Sequence, residues 1–199
     1  LETGGRLGAQ GEIVDPLTAA DLEALVARLQ TLAPAAVAIT LLFSFLDPAH
    51  ERRVAARLDA ALPGSFVCCS ADVLPEIREF ERGIATWLNA YVGPLMQGYL
   101  GRLDAAVAPA RLSVMQSSGL ACAPAHAGRH AVNLLLSGPA GGLQGARRVA
   151  LDAGCERVLT FDMGGTSTDV ALIDRDLTLT SEGRIGPWPV GVSMVDLHT

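Results

Sequence analysis

The stretch TFDMGGTSTDVALI, residues 160–173, places two adjacent glycines, a run of hydroxyl side chains and two aspartates between apolar residues. The flanking residues have the composition of buried β-sheet, and no helical segment separates them. The stretch therefore predicts an antiparallel hairpin that turns at Gly164 and Gly165, where glycine tolerates positive φ angles. A second turn at residues 174–176 predicts a further strand after the hairpin.

The spacing Asp-x-Gly-Gly-Thr-x-x-Asp indicates what this turn could bind. Successive backbone N–H groups of a glycine turn form a concave site that suits phosphate oxygens. Asp162 ends its strand facing that site, where a bridging Mg²⁺ would make a carboxylate favourable. The pattern is not a Walker loop, which needs GxxxxGK[ST] at the start of a helix. A tight hairpin with solvent-facing aspartates is the purely structural alternative. The hydroxyl donors of the turn are Thr166, Ser167 and Thr168.

A second glycine-rich segment, LLLSGPAGGLQGA at residues 134–146, predicts a strand that leads into a helix. The N-terminus of such a helix offers free N–H groups and the positive end of the helix dipole. The glycines could instead let the helix pack closely on a sheet. This segment precedes the hairpin by about 20 residues, roughly one βα unit, so both loops are expected at one sheet edge. The candidate residues here are Ser137, Gly138, Gly141 and Gly142.

Strands alternate with helices along the rest of the chain, which predicts an α/β fold with a mostly parallel sheet. Thr18 is expected to cap the first helix, with Asp21 in its first turn. The predicted helices cover residues 18–32, 47–62 and 139–154, and a further long helix starts at about Glu76 and is kinked or broken at Gly93-Pro94. The predicted strands cover residues 35–43, 65–70, 111–117, 132–138 and 157–163. Residues 119–131 are expected to be a loop.

Composition excludes several functions. The 199 residues carry a formal charge of −6 and include no lysine, so there is no basic surface for nucleic acid and no Lys-based chemistry. Four cysteines without a CxxC spacing indicate free thiols in a reducing compartment. No apolar stretch reaches membrane-spanning length, and we expect a soluble, cytoplasmic protein. Both ends interrupt a pattern, which suggests a fragment of a longer chain.

Other polar and aromatic residues have structural interpretations. His126 and His130 have i,i+4 spacing but no third ligand nearby, so solvent-facing rings are expected. For His198, an alternative stays open: it could face an active site in the full-length protein. Trp87 and Tyr91 are expected in the core. The helix face expected to be buried carries Ile77, Phe80, Ile84, Leu88, Tyr91 and Leu95, and the charged residues expected on a solvated helix start are Glu76, Arg78, Glu79, Glu81 and Arg82.

Several motifs in this order resemble the hydantoinase/oxoprolinase family, in particular the large subunit called hydantoinase A or N-methylhydantoinase A. By this resemblance, residues 1–69 are the end of the amino-terminal domain and residues 70–199 begin the main domain. The motifs that carry the resemblance are AITLLFSFLDPAHERRVAARL, VLPEIREFER, LNAYVGPLM, LLLSGPAGGLQGA, TFDMGGTSTDVALI and VSMVDLHT.

The resemblance implies a fragment of an actin-like ATPase, a ribonuclease-H-like α/β fold with a mixed sheet. Members of the family couple ATP hydrolysis, with Mg²⁺, to the opening of cyclic amides such as hydantoins or 5-oxoproline, usually with a B-type subunit. Two alternatives stay open: an acetone-carboxylase-like β subunit, and a non-catalytic nucleotide-binding or reactivating module.

The resemblance also assigns roles to residues. Asp162 would be the metal ligand, and Asp162 and Asp169 the catalytic pair. The phosphate hairpin would comprise Gly164, Gly165, Thr166, Ser167 and Thr168, with Ser137, Gly138, Gly141 and Gly142 as a neighbouring loop. This chain departs from the family at Leu120, where a second glycine is usual, and at His130, where proline is usual. The family's early phosphate motif is not in these residues, so this stretch alone is expected to be inactive.

Overall fold

The computed structural model describes residues 1–165, 168–185 and 188–198. The chain divides into two units, Leu1–Leu95 and Met96–Thr199. No helix in the described part of the chain combines the length and the apolar character needed to cross a membrane.

The first unit begins with a short hairpin and the first predicted helix. Strands β1 (Arg6–Leu7) and β2 (Ile13–Asp15) pair antiparallel and precede helix α1 (Ala19–Leu32). Thr18 Oγ1 accepts from the Asp21 amide at 3.2 Å, and Asp21 Oδ2 accepts from the Thr18 amide at 2.8 Å. This reciprocal capping box confirms the predicted start of the helix.

A parallel pair of strands forms the centre of this unit. Strand β3 (Ala36–Ile39) pairs with β4 (Phe66–Cys69), and helix α2 (Ala49–Ala61) connects them. The one-turn helix α3 (Ser70–Val73) follows β4 directly. Helices α1 and α2 bury their apolar faces with the strands in one core cluster, whose buried members are Leu17, Leu25, Val26, Leu29, Ile39, Val54, Leu58 and Cys69.

Helix α4 (Glu79–Val107) starts in the first unit and continues into the second without a break at Pro94, so the predicted break is absent. The predicted buried face is wrong at several positions, because Ile77, Phe80, Tyr91 and Leu95 are exposed. Trp87 and Tyr91 do stack, with ring centroids 5.7 Å apart, but on the surface rather than in the core. The residues buried on α4 include Arg82, Ala85, Thr86, Asn89 and Ala90.

A buried polar network explains why Arg82 lies inside, against the prediction of a solvated helix start. Its guanidinium donates to the carbonyl oxygens of Glu76 at 2.6 Å and Leu41 at 3.1 Å, and to Ser70 Oγ at 3.2 Å. Glu51 is equally buried and accepts from the Leu41 amide at 2.8 Å and from Ser70 Oγ at 2.6 Å. The two opposite charges thus share partners in the backbone that follows β3.

The second unit departs most from prediction between residues 111 and 138. Strands β5 (Val114–Met115) and β6 (Ala121–Cys122) form a small hairpin, and helix α5 (Pro124–Arg129) follows within the predicted loop. The strand predicted at 132–138 is absent, because Ala131–Leu134 form a 3₁₀ turn. Helix α6 (Ser137–Asp152) starts two residues earlier than predicted.

The hairpin predicted from the opening stretch is confirmed. Strand β7 (Arg157–Met163) pairs antiparallel with β8 (Thr168–Asp174) in continuous register from Arg157↔Asp174 to Met163↔Thr168. Strand β9 (Asp176–Leu177) follows a turn at Arg175, whose φ is 61°. The remaining strands pair antiparallel, β10 (Leu179–Thr180) with β13 (Met194–Val195) and β11 (Gly183–Ile185) with β12 (Trp188–Val190).

Helix α6 packs on one face of the β7–β8 hairpin. Ala140 and Leu143 of the helix form a buried cluster with Ala171, Ile173 and Val195. Among the described strands only β3 and β4 are parallel, so the sheets are mixed rather than mostly parallel. The expected parallel strand before α6 is replaced by the 3₁₀ turn, which leaves the hairpin without a parallel neighbour in the described residues.

Candidate functional site

The β7–β8 hairpin brings the two predicted acidic residues together. Asp162 lies directly opposite Asp169, and one further pair, Met163↔Thr168, closes the ladder before the turn. Because cross-strand partners in an antiparallel pair project from the same face, both carboxylates belong to one side of the hairpin. The two aspartates that the resemblance names as catalytic residues are therefore cross-strand neighbours.

The turn itself is open to solvent at its described residues. Gly164 and Gly165 are exposed, and neither amide donates a hydrogen bond to a described residue. A Cβ placed on Gly165 would meet no atom within 4 Å. The predicted phosphate-binding residues Thr166 and Ser167 lie outside the described residues, and Thr168 is the first residue of β8.

A cleft of about 360 Å³ lies between helix α6 and the hairpin. Pro139 and Gly142 line it from the helix, and Asp162 and Asp169 line it from the strands. The two glycine-bearing segments predicted to meet at one edge therefore share one cavity, although no parallel sheet brings them there. Ser137, Gly138 and Gly141 belong to the first turns of α6 but do not line the cleft.

The glycines of α6 are not required by packing on the described residues. A Cβ on Gly138 or Gly142 would meet open space, and one on Gly141 would make an ordinary contact with Met115 Cγ at 3.8 Å. The alternative that these glycines permit close packing of the helix on the sheet therefore has no support in the described residues. The space beside Gly142 is open towards the cleft.

The charges around the cleft suit a hard cation. Like charges directly opposite each other on a hairpin are unfavourable, and neither Asp162 nor Asp169 forms an ion pair within the described residues. The arginines of the hairpin pair at its other end, with Arg157 on Asp174 and Arg175 on Glu156. The exposed Asp162 and the half-buried Asp169, which have no basic partner among the described residues, fit Mg²⁺, which binds one or two carboxylates together with water and phosphate oxygens.

A tightly chelating transition-metal site is not seen. No cluster of three or more His, Cys, Asp or Glu side chains occurs in the described part of the chain. The His126 and His130 rings stack at 4.3 Å between centroids, and His130 Nδ1 lies 3.2 Å from the His126 carbonyl oxygen. The two rings thus contact each other at the C-terminal end of α5, where His126 is exposed and His130 is half-buried.

Sequence reasoning leaves open whether His198 faces an active site, and it misses Leu197 and Leu136. His198 pairs through its backbone with Val170, the neighbour of Asp169, with N–H···O distances of 2.8 and 2.9 Å. Leu197 lines the cleft, and Leu136 precedes α6 in a left-handed conformation with φ 60° and ψ 24°. No local pattern signals these positions, since all of them depend on contacts between distant segments.

Comparison with solved structures defines the class of fold. The crystal structure of the ATP-dependent caprolactamase from Pseudomonas jessenii superposes with a TM-score of 0.85 and 34% identity, covering 98% of this chain and 29% of that one. The nucleotide-free structure of acetone carboxylase, from a study of ATP-dependent acetone carboxylation, superposes with a TM-score of 0.80 and 26% identity, covering 98% of this chain and 28% of that one. The chain therefore has the α/β, ATPase-like fold of these enzymes, and the predicted fold class is confirmed.

Sequence comparison gives the family. The model for Hydantoinase/oxoprolinase matches residues 82–199, and the model for the Hydantoinase/oxoprolinase N-terminal region matches residues 1–62. The chain belongs to the hydantoinase/oxoprolinase family.

Two curated relatives illustrate the range of the family. The caprolactamase subunit alpha of Pseudomonas jessenii is 36% identical over 203 residues, covering 98% of this chain and 29% of the relative. The 5-oxoprolinase 1 of Arabidopsis thaliana is 30% identical over 201 residues, covering 96% of this chain and 16% of the relative. The chain thus spans less than a third of the length of either relative.

Proposed function

We propose that this chain is part of the large subunit of an ATP-dependent cyclic-amide hydrolase. The observation that carries the proposal is the facing pair Asp162 and Asp169, which lies beside an exposed Gly-Gly turn and lines a cleft against α6. Related proteins that share nearly the whole of this chain are an ATP-dependent caprolactamase and a 5-oxoprolinase. The substrate would be a lactam or a related ring such as a hydantoin.

Each candidate residue has a defined task in this proposal. Asp162 would hold Mg²⁺, and Asp169 opposite it would accept a hydrogen bond from a water molecule in the cleft and so orient that water. The backbone amides at Gly164 and Gly165 would bind phosphate oxygens, with Thr166, Ser167 and Thr168 as hydroxyl donors. Bound ATP would supply the phosphoryl group that activates the amide oxygen. A second set of backbone donors would come from Ser137 and Gly138 in the first turn of α6, while Gly141 and Gly142, whose amides lie within the helix, would contribute through their small size.

The open space at the glycines supports these tasks. Gly142 borders the cleft without a contact that would demand glycine, so it leaves room for a ligand atom close to the helix backbone. Asp162 and Asp169 both line the same cleft, and Asp162 is exposed there. A single helix and hairpin cover only one side of a nucleotide, so we propose that activity requires the full-length subunit.

The proposal also covers the wider organisation of the protein. We assign residues 1–69 to the end of the amino-terminal domain and residues 70–199 to the start of the main domain. A B-type subunit would complete the enzyme, and the free thiols and acidic charge fit a cytoplasmic location. No nucleic-acid partner is proposed, because the chain carries a net negative charge.

A second candidate function is supported by one specific observation. The chain superposes on acetone carboxylase with a TM-score of 0.80 over 98% of its length. The same ATP chemistry would then activate a ketone or bicarbonate instead of a lactam, with this chain as part of a carboxylase subunit. A non-catalytic nucleotide-binding or reactivating module is the third possibility, and it would bind ATP without substrate-stimulated turnover.

The experiment uses the full-length subunit together with its B-type partner. ATP hydrolysis is measured with caprolactam, 5-oxoproline and hydantoin, and separately with acetone plus bicarbonate. Stimulation by a cyclic amide, with formation of the ring-opened acid, is expected. Stimulation only by ketone and bicarbonate would replace the proposal by the carboxylase, and ATP binding without stimulation by any substrate would replace it by the non-catalytic module.

A further inference from the structure

Ser117 joins three segments of the second unit. It is fully buried, and its amide donates to the Asn133 carbonyl oxygen at 2.7 Å. Its hydroxyl reaches the same carbonyl at 2.7 Å and the Leu135 carbonyl as well. Its own carbonyl accepts from the Val195 amide at 2.8 Å. Every hydrogen-bonding group of this one residue is therefore used between segments distant in sequence.

The hydroxyl of Ser117 forms a hydrogen bond next to a strained residue of the backbone. Leu136, the residue before α6, has φ 60°, a left-handed conformation that costs a leucine about 1–2 kcal/mol relative to the ordinary regions. No side chain caps the helix at this point. Such a conformation persists only where the surroundings fix it. The bond from Ser117 to the Leu135 carbonyl holds the peptide that immediately precedes Leu136.

The carbonyl of Ser117 connects the same point to the acidic hairpin. Val195, which donates to it, lies three residues before His198, and His198 pairs by both backbone groups with Val170. Val170 is the neighbour of Asp169. A short path of backbone bonds therefore runs from the start of α6 through Ser117 to the strand that carries the second aspartate.

We propose that Ser117 is a positioning residue that sets the start of α6 relative to the Asp162–Asp169 hairpin. The inference rests on the proposed ATP site, because Ser117 lies behind that site and touches no cleft residue by its hydroxyl. Removing the hydroxyl frees the Leu135 carbonyl, lets Leu136 relax, and moves the first N–H groups of α6 away from the position that suits phosphate.

The test is made on the full-length protein with four variants. Ser117→Ala removes the hydroxyl, and Ser117→Thr retains it. Leu136→Gly removes the strain, and Gln144→Ala is the matched control, since it removes a comparable bond from Gln144 Nε2 to the Gly119 carbonyl at 3.0 Å, remote from Leu136. The affinity for Mg-ATP is measured by calorimetry, and amide exchange of residues 135–140 is measured without nucleotide.

Ser117→Ala should weaken Mg-ATP binding about tenfold, the equivalent of one buried hydrogen bond, and speed exchange at residues 135–140. Ser117→Thr and Gln144→Ala should stay within about threefold of the parent affinity. In the Leu136→Gly background, the added Ser117→Ala change should have a much smaller effect, because glycine needs no support at positive φ. If Ser117→Ala alone fails to fold, the double variant Ser117→Ala/Leu136→Gly is compared with Leu136→Gly to test the inference.

Three results would each overturn the inference. They are an unchanged affinity for Mg-ATP in Ser117→Ala, equal losses of affinity in Ser117→Ala and Gln144→Ala, and the same loss from Ser117→Ala whether residue 136 is leucine or glycine. A parent protein that binds no Mg-ATP would refute the proposed function instead. In that case the exchange rates still decide whether Ser117 holds the start of α6, and unchanged rates in Ser117→Ala would reject it.

Discussion

Asp162 and Asp169 lie directly opposite each other, one pair from the turn of the β7–β8 hairpin. Two carboxylates in this arrangement repel each other unless a cation lies between or beside them. Most other cross-strand pairs of the hairpin are apolar or contain a threonine, and Arg157 forms an ion pair with Asp174 at the far end. The acidic pair is thus a local cost to stability at the place where the cleft opens.

Replacing either aspartate should therefore raise the stability of the protein while lowering its activity. Asp162→Asn and Asp169→Asn should each stabilise the nucleotide-free protein slightly, by up to about 1 kcal/mol, because the cross-strand repulsion is removed. Each should also reduce ATP hydrolysis by about a hundredfold or more, since metal-assisted charge stabilisation is worth several kcal/mol. Urea unfolding and steady-state hydrolysis of the full-length enzyme measure the two effects.

Asp174→Asn is the matched control for these variants, because Asp174 lies on the same strand but pairs with Arg157 away from the cleft. It should leave hydrolysis unchanged. Full activity in both Asp162→Asn and Asp169→Asn would show that the acidic pair has no part in catalysis.

Two glycines of α6 should respond differently to alanine. Gly142→Ala and Gly145→Ala should both stabilise the protein or leave it unchanged, since alanine is favoured over glycine in a helix by about 1 kcal/mol and neither Cβ meets an atom. Only Gly142 lines the cleft, so only Gly142→Ala should weaken Mg-ATP binding. Thermal unfolding and calorimetry test this pair, and equal affinity in both variants would remove Gly142 from the site.

Glu51 and Arg82 are buried and share Leu41 and Ser70 as hydrogen-bond partners, so this network should contribute strongly to the stability of the first unit. Arg82→Leu leaves the Glu51 charge buried without its counter-charge, which should cost about 3–5 kcal/mol in the free energy of unfolding. The double variant Glu51→Leu/Arg82→Leu should be less destabilised than the sum of the single variants. The exposed pair of Arg52 with Asp72 provides the control, and Arg52→Leu should change the urea midpoint little. Additive losses in the double variant would contradict a coupled network.

The buried thiols should make stability depend on alkaline pH. Burial raises the pKa of Cys68 to about 11 and that of Cys69 to about 12. In the unfolded chain these thiols ionise near pH 8.5, so the unfolded state loses protons first as the pH rises. Stability should therefore be constant below this pH, fall as the pH rises towards 11–12, and level off above.

Urea midpoints between pH 7 and pH 11 measure this slope. Cys68→Ala and Cys69→Ala should each flatten it, whereas Cys155→Ala should not, because Cys155 is exposed. An unchanged slope in the double Cys68→Ala/Cys69→Ala variant would assign the alkaline instability to other groups.

Local chemistry made part of this structure predictable. The capping box at Thr18 and Asp21 involves residues three apart, and the β7–β8 hairpin is fixed by a glycine turn between two strand-like runs. Their signals are contained within a few residues, so no distant contact was needed to recognise them. The facing of Asp162 and Asp169 depends on the same local register, because the length of the turn sets which residues lie opposite each other.

Contacts between distant segments made the rest unpredictable. The apolar run at residues 132–136 resembles a strand, yet Ser117 draws the carbonyls of Asn133 and Leu135 into a 3₁₀ turn. Apolar periodicity on α4 showed which face is apolar but not which face is covered. Arg82 is inside because Leu41, Ser70 and Glu76 supply its partners, and no helix pattern contains that information.

Hydrogen exchange of the full-length protein, with and without Mg-ATP, tests the phosphate site most directly. Nucleotide should slow exchange of the amides at residues 163–169 and 137–142 together, and Asp162→Asn should abolish both effects. Tight Mg-ATP binding that leaves exchange in both segments unchanged would place the nucleotide elsewhere and contradict the account.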